Sequence, residues 1–355
     1  MTTYSIVRID TAKFSLLGDE ETFQLPETKM LNLMSPQGEI LDSFQNRKRL
    51  EGRYGSHSLH LRAIHKGSEL LVEGSPYAYR YGQNLYTSND LHAVLRDVLP
   101  DVLEQCVNPP STMDVQRWLA GDIVLSRVDL YANFICPEGV SPKRLIRQIA
   151  RQLSERGVST KTHGSTFTWA PDKGRQYEIV FYAKGPQMRV KRSLANFPER
   201  SRLVRAANNI VRVELRLQGE MLRKLKKQLN LKVSLEKASG WTPRTPRKVF
   251  GYFMKKLDIV NVTAGPVTDE ELAPLNHRLR PVLALHKAGC ELRQIYSQAT
   301  VRRHLKAFRQ MGIDLRCPNQ PKDEALPLLE LLKPKMAVRR APAWMRKKGY
   351  APADC

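Results

Sequence analysis

A tyrosine and a lysine stand two residues apart in the apolar run EIVFYAKG, residues 178–185. The phenol of Tyr182 becomes a nucleophile only when it loses its proton, and a free tyrosine has a pKa of about 10. A nearby cation favours the phenolate, and along a β-strand Lys184 lies about 7 Å away on the same face. Tyr182 and Lys184 are therefore candidate catalytic residues for attack on a phosphodiester. The alternative is a tyrosine that only packs in a strand.

Two carboxylates occupy equivalent places in SRVDLYANF (126–134) and IVRVELRL (210–217). Strand alternation places Asp129 and Glu214 on the faces opposite the apolar residues. Carboxylates on adjacent strands can hold Mg²⁺ or Mn²⁺, which polarises a scissile phosphate. Arginines on the same faces are candidates for binding DNA phosphates: Arg127, Arg212 and Arg216. The same pattern also fits a solvated face of cross-strand ion pairs, and that alternative stays open.

The elements that position these residues follow from the periodicity of apolar residues. Residues 1–87 alternate apolar and polar positions, which predicts strands and hairpins, and a capped amphipathic helix follows from Ser88. A strand then leads to a second helix that begins after Ser141, and three more strands follow up to residue 217. This order predicts an α+β fold with an antiparallel-rich sheet, helices on one face and a catalytic polar face.

The predicted domains are a catalytic domain over 1–238, a basic linker region over 239–265, a helical domain over 266–318 and a basic, partly disordered tail over 319–355. The linker is inferred from two prolines in SGWTPRTPRK, and the tail from its mixture of prolines and positive charge. In the helical domain, residues 300–311 have the pattern of a recognition helix whose DNA-binding candidates are Arg302, Arg303 and Lys306. An ordinary basic helix in a small bundle fits these residues equally.

Charge indicates the class of partner. The 355 residues include 58 Lys and Arg against 35 Asp and Glu, a formal net charge of +23. Such an excess favours a polyanion, and nucleic acid is the first candidate. The sequence has no long apolar run and no signal-peptide pattern, which predicts a soluble protein without a membrane partner. Five scattered cysteines without a CxxC pair argue against disulfides and a structural zinc site.

Two further groups of residues are candidates for the site. His57 and His60 in HSLH are three residues apart, which in a strand places them on opposite faces and argues against joint metal binding. Three tyrosines in SPYAYRYG would share one strand face, as a base-stacking platform or an aromatic ladder: Tyr77, Tyr79 and Tyr81.

The segments LSRVDLYANF, KTHGSTFTWAPDKGRQYEIVFYAK and IVRVELRL, in this order, resemble the replication initiation protein (gene II product) of filamentous bacteriophages. They are more distantly similar to rolling-circle initiators of small plasmids. The resemblance extends over roughly residues 1–230 and is good over 124–218. It implies that Tyr182 is the nucleophile and that Asp129 and Glu214 are the metal ligands.

The resemblance further implies a metal-dependent, site-specific single-strand endonuclease and strand transferase that forms a 5′-phosphotyrosine intermediate. Its partners would be double-stranded origin DNA, displaced single-stranded DNA, and a host helicase and DNA polymerase, in the cytoplasm of a bacterial host. Self-association at the origin is left open. The alternative from another class is a non-catalytic DNA-binding regulator or single-stranded DNA-binding protein, which would not need a metal.

Overall fold

The computed structural model describes residues 6–26, 29–55, 57–154, 159–163, 165–171, 176–262, 265–316, 319, 326–333, 336–338 and 340–352. The strands of these parts, in chain order, are β1 (Arg8–Leu17), β2 (Met30–Met34), β3 (Ile40–Gln45), β4 (Lys48–Leu50), β5 (Leu59–Ile64), β6 (Glu69–Gly74), β7 (Val124–Ile135), β8 (Ser159–His163), β9 (Thr166–Ala170), β10 (Tyr177–Ala183), β11 (Ile210–Gln218), β12 (Asn261–Val262) and β13 (Ile313–Asp314).

Nine of the described strands form one sheet in the order β4-β5-β6-β1-β7-β11-β10-β9-β8, and all its neighbours are antiparallel. Residues 8–74 supply one side of this sheet and residues 124–218 the other, and the two sides meet where β1 pairs with β7. The predicted α+β fold with an antiparallel-rich sheet is confirmed.

The helices up to residue 257 are α1 (Pro76–Tyr81), α2 (Leu91–Leu103), α3 (Thr112–Leu119), α4 (Pro142–Ser154), α5 (Lys184–Val190), α6 (Arg200–Ala207), α7 (Gly219–Gln228) and α8 (Thr245–Leu257). Those that follow are α9 (Asp269–Leu272), α10 (Arg280–Lys287), α11 (Leu292–Ile295), α12 (Gln298–Gln310), α13 (Leu328–Leu331) and α14 (Ala343–Lys347). No helix among the described residues has both the length and the apolar character needed to cross a membrane.

The main core lies on one face of the sheet. The apolar residues of the strands pack there against helices α2, α4, α7 and α8, in a single cluster of buried side chains. Helix α4 contributes Leu145, Ile149 and Leu153, which recur at helical spacing on one side of the helix. Burying this face leaves the polar residues of the central strands on the other, as predicted.

Part of the polar face is nevertheless covered. Helices α5 and α6 and the C-terminal helix α14 form a second apolar cluster that includes Met188, Leu203 and Met345. Leu85 belongs to the same cluster, and its carbonyl accepts hydrogen bonds from Tyr131 and Asn133 of the polar face. Helices therefore lie on both sides of the sheet, in contrast to the prediction of one face only.

The region predicted as a linker is part of the main core. Trp241 is buried, and its indole nitrogen donates a hydrogen bond of 2.9 Å to the Leu235 carbonyl. Helix α8 begins with a proline in its first turn and buries Val249, Phe250 and Phe253 in the main cluster. Pro246 lies in the first turn of this helix, where proline is accommodated, and Pro243 lies just before the N-cap residue Arg244, so the two prolines mark the start of a helix and not a boundary between domains.

The C-terminal part of the chain divides between a third apolar cluster and the two clusters already described. Helices α10 and α12 form a separate small cluster, to which α10 contributes Val282 and Leu283 and α12 contributes Phe308. This cluster lies in the range predicted as a helical domain. In the tail, α13 packs into the main core and α14 into the second cluster. The predicted disorder of the tail therefore does not extend to residues 326–332 and 341–351.

The segment with three tyrosines is a helix and not a strand. Ser75 caps α1 by accepting a hydrogen bond from the backbone N–H of Ala78, Pro76 is the first helical residue, and Gly82 ends the helix at φ +72°. Tyr77 and Tyr79 are buried in a helix, so this segment forms neither of the two predicted arrangements, the base-stacking platform or the cross-strand aromatic ladder. The capping serine, the proline and the terminal glycine favour a helix, and they outweigh the alternation of apolar residues that predicted a strand.

Candidate active site

The polar face of the sheet lines an open cleft of about 590 Å³. The cleft contains five of the predicted site residues: Arg127, Asp129, Tyr182, Glu214 and Arg216. Strand register explains their proximity, because Asp129 on β7 is directly opposite Arg216 on β11, and Tyr182 on β10 is directly opposite Arg212. Directly opposed residues of antiparallel strands point to the same side of a sheet.

Tyr182 and Glu214 are joined by a hydrogen bond. The tyrosine is 6% exposed, and its hydroxyl donates to Oε2 of Glu214 at 2.9 Å. The other carboxylate oxygen, Oε1, accepts from Nε of Arg216 at 2.7 Å, and this arginine also binds Glu178 at 2.7 Å. Burial and the adjacent charge of Glu214 raise the pKa of Tyr182 well above its ordinary value of 10.0. The phenol is therefore protonated at neutral pH, with a carboxylate within reach of its proton.

Asp129 is held by the arginine two residues before it. Nε and Nη2 of Arg127 donate to the two carboxylate oxygens at 2.8 and 2.7 Å. Burial, and then repulsion by the charge of Glu214, raise the pKa of Asp129 to about 7, although Arg127 acts in the opposite direction. Asp129 and Glu214 thus form a pair of buried, mutually repelling carboxylates, each balanced by an arginine.

Lys184 occupies a different position from the one predicted. Strand β10 ends at Ala183, so Lys184 begins α5 and the alternation along the strand no longer applies. Its ammonium group is fully buried and donates to Asn84 Oδ1 at 2.9 Å and to Gln187 Oε1 at 2.8 Å. Nζ lies 5.7 Å from the centre of the Tyr182 ring, beneath the cleft. Burial and the charge of Arg212 lower the pKa of Lys184 well below its ordinary value.

Arg212, predicted to bind DNA, is a structural residue beneath the cleft. Its guanidinium group is fully buried and stacks at 3.7 Å on the ring of Tyr131. It donates to Asn133 Oδ1 at 2.9 Å and to the Asn84 carbonyl at 2.5 Å. Its donors are thus engaged inside the protein, and contact with DNA phosphates is not available to it.

Asp10 was missed by sequence reasoning. A bulge in β1 leaves it without a partner on β7, and its carboxylate accepts from Asn84 Nδ2 at 2.9 Å and pairs with Arg212 at 3.5 Å. Burial opposes its ionisation, but the charges of Arg212 and Lys184 lower its pKa. The sequence contained one indication of this bulge: the buried apolar residues Ile9 and Ala12 are three residues apart, whereas regular strand alternation would place them two apart.

His57 and His60 both line the cleft, which corrects the prediction of opposite faces. Only His60 lies in β5, so strand alternation does not relate the two side chains. Burial and the charge of Lys191 lower the pKa of His57 to about 3, so its imidazole is neutral. Among the described residues, no three His, Cys, Asp or Glu side chains converge as a metal site. An ion bound here would rely on few protein ligands and complete its shell with water or phosphate.

The predicted DNA-binding residues of the helical region lie outside the cleft. Arg302, Arg303 and Lys306 are exposed on α12, whereas Val301 and Phe308 of the same helix are buried. The short helix α11 precedes α12 after a two-residue turn, as in a helix-turn-helix arrangement. Base contacts by this helix remain a prediction.

A family model that describes the N-terminal part of a phage replication-associated protein, the gene II product, matches residues 8–243. The chain belongs to this family. The matched range contains every strand of the large sheet and all the cleft residues described above. A curated relative, the replication-associated protein of the same name from Enterobacteria phage I2-2, is 24% identical over 277 residues, which are 77% of this chain and 77% of the relative. The predicted resemblance to gene II products is confirmed, and the chain is a replication initiator of the phage type.

Proposed function

We propose that this initiator nicks one strand of its origin through Tyr182. The observation that carries the proposal is the hydrogen bond from the Tyr182 hydroxyl to Glu214 at the floor of a cleft lined with arginines. A nucleophile bonded to a base, which is itself oriented by a third group, is the arrangement expected for covalent catalysis. Here the third group is Arg216, bound to Glu214.

The chemistry of the proposed step balances within the cleft. The Tyr182 oxygen attacks the scissile phosphorus and its proton passes to Glu214. The new O–P bond forms as the bond from phosphorus to the 3′ oxygen breaks, and that oxygen takes a proton from water and leaves as a 3′ hydroxyl. The product is a 5′-phosphotyrosine, whose ester can later be transferred to another 3′ hydroxyl without ATP.

Asp129 and Glu214 fit a divalent cation such as Mg²⁺ or Mn²⁺. Both side chains are carboxylates, both are almost fully buried, and their repulsion contributes to the raised pKa of Asp129. When bound, the ion would supply positive charge that polarises the scissile phosphate. Arg127 and Arg216, which now pair with these carboxylates, would bind the non-bridging phosphate oxygens.

The 3′ hydroxyl released by the nick would prime a host DNA polymerase, and a host helicase would separate the strands. A second transesterification at the phosphotyrosine would close the displaced single strand. These steps would bring the protein together with double-stranded origin DNA, displaced single-stranded DNA and the host replication machinery in the bacterial cytoplasm.

The test mixes the purified protein with supercoiled DNA that carries its own origin and with Mg²⁺ or Mn²⁺, followed by SDS and peptide mass analysis. We expect an adduct on the peptide that contains Tyr182, and loss of the adduct in Tyr182→Phe and on addition of EDTA. Tyr177→Phe is the matched control, because Tyr177 lies on the same strand, is buried in the main core and packs at 4.4 Å on Phe253. Binding of the origin without any nick or adduct would favour a DNA-binding regulator instead.

A further inference from the structure

The connection between β10 and β11 is strongly basic. It begins two residues after Tyr182 and runs through α5 and α6 to β11. Residues 184–209 contain seven Lys and Arg and a single acidic residue, Glu199. The basic residues are Lys184, Arg189, Lys191, Arg192, Arg200, Arg202 and Arg205.

The C-terminal helix adds to this charge. Met345 of α14 is buried in the same apolar cluster as Met188 of α5 and Leu203 of α6, so the three helices form one body. The guanidinium group of Arg202 lies 4.4 Å from the centre of the Trp344 ring. The single acidic residue of the connection, Glu199, is paired with Lys348 of the C-terminal segment.

Six cations of this body face solvent and define what we call the basic surface: Arg192, Arg200, Arg202, Arg205, Arg346 and Lys347. Within the parts of the chain that the structure describes, none of the six forms an ion pair with a carboxylate. Unbalanced positive charge of this density attracts a polyanion, because each phosphate that is neutralised releases condensed counterions.

The basic surface begins at the rim of the cleft. Gln187 and Lys191, on and just after α5, line the cleft together with Tyr182. The next residue, Arg192, is exposed and belongs to the basic surface. A chain of phosphates that passes Tyr182 would therefore meet Lys191 and then the basic surface without a gap in positive charge.

We propose that the basic surface binds the phosphate backbone of the single DNA strand that flanks the phosphate attacked by Tyr182. This inference rests on the proposed function. A single strand is favoured over a duplex because Tyr182 is only 6% exposed within the cleft, so one extended strand can bring a phosphate to its hydroxyl more readily than a base-paired duplex can. Trp344, which packs with Arg202, adds an aromatic ring of the kind on which bases of a single strand stack.

The experiment compares two triple variants with wild type. The first is Arg202→Ala, Arg205→Ala and Arg346→Ala on the basic surface. The matched control is Lys143→Ala, Arg147→Ala and Arg151→Ala, which removes the same charge from exposed positions of α4 on the opposite side of the sheet. All six side chains are exposed, so both variants should fold, and their melting temperatures are measured to verify this.

Binding is measured by fluorescence anisotropy on single-stranded origin oligonucleotides over a range of salt concentrations. One oligonucleotide spans only the few nucleotides around the nick, and the other extends well beyond them on both sides. For the long strand we expect the surface variant to bind about 10-fold more weakly or worse, with a salt slope reduced by about two, since each neutralised phosphate contributes about 0.7 to the slope. For the short strand, and for the control variant on either strand, we expect wild-type binding.

Equal affinity and equal slope for the two triple variants on the long strand would overturn the proposal. It would also be overturned if the surface variant lost binding to vesicles of anionic phospholipid and kept binding to DNA. The adduct assay with wild type reports separately on nicking. If wild type forms no adduct, the proposed nicking function fails, while the difference in salt slope still decides whether the basic surface binds DNA.

Discussion

The Tyr182 hydroxyl and Oε2 of Glu214 lie 2.9 Å apart, on neighbouring antiparallel strands. The residue directly opposite Glu214 is Val180, so the hydrogen bond runs diagonally across the two strands. Val180 is an apolar residue on an otherwise polar face, and it lines the cleft together with Tyr182 and Glu214. The bond links the candidate nucleophile to one of the two candidate metal ligands.

The charge of Glu214 is expected to be required for adduct formation. Glu214→Gln keeps an oxygen that can accept the Tyr182 hydrogen bond but cannot take the proton or bind a cation as a carboxylate does. We expect adduct formation to fall by about 100-fold or more, in line with the loss of a general base. Glu178→Gln is the control, because Glu178 binds the same Arg216 at the cleft edge. An equal decrease in both variants would show that only the charge balance of Arg216 matters.

The raised pKa of Asp129 predicts a dependence of stability on pH. This pKa is about 7 in the folded protein against 3.8 for an unperturbed carboxyl group. Between these values the folded protein holds a proton that the unfolded chain has released, so this residue's contribution to the free energy of unfolding falls as pH rises from about 4 to 7. Relative to Asp129→Asn, wild type should lose up to about 4 kcal/mol over this range. Urea denaturation of both proteins without divalent metal measures this loss. A difference in the free energy of unfolding between wild type and Asp129→Asn that stays constant over this pH range would contradict the raised pKa.

Asp10 is expected to be needed for folding because it balances a buried charge. Asp10→Asn keeps the size of the side chain and removes the partner charge of the fully buried Arg212. Loss of one partner of a buried ion pair costs about 3–5 kcal/mol. Chemical denaturation measures the effect, with the exposed Asp19→Asn as the control. If Asp10→Asn lowered the free energy of unfolding by less than about 1 kcal/mol, the amide and carbonyl groups around Arg212 would be sufficient to stabilise its buried charge.

The C-terminal segment is expected to stabilise the protein through α14. Met345 is fully buried in the second apolar cluster, so Met345→Ala should lower the free energy of unfolding by about 2–5 kcal/mol. Met113→Ala should change it by less than about 0.5 kcal/mol, because Met113 is 79% exposed. Thermal and urea denaturation of both variants provide the measurement. Equal stability of the two would show that the segment does not remain packed in solution.

Helix α12 is expected to bind duplex DNA. Replacement of the exposed Arg302, Arg303 and Lys306 by alanine should weaken binding of an origin duplex and reduce its salt slope by about 0.9 for each phosphate that is no longer neutralised. A larger decrease in affinity for the origin than for unrelated duplexes would indicate readout of bases. Unchanged binding of both duplexes would mean that α12 is an ordinary basic helix.

The candidate site was predictable from the sequence where the alternation of a strand is uninterrupted. Asp129, Glu214 and Tyr182 lie inside β7, β11 and β10, and the structure places all three in one cleft. The prediction for Lys184 was wrong in position because β10 ends one residue before it. Gly185 and Pro186 indicate a break after the strand but not its last residue, and the strand stops at Ala183, where α5 packs against α6 and β11.

The sequence by itself determined the α+β class, the polar face of the central strands, the excess of positive charge and the family. These are properties of residue type and of spacing along short stretches, and a strand or helix needs no distant partner to display them. Only the tertiary structure decided that Asp10 and Asn84 hold Arg212, that His57 and His60 share the cleft, and that residues 239–257 belong to the core. Each of these depends on a bulge, a loop or a long-range interaction whose partner lies far away in the chain. Such interactions are selected by the packing of the whole domain and leave little trace in local periodicity.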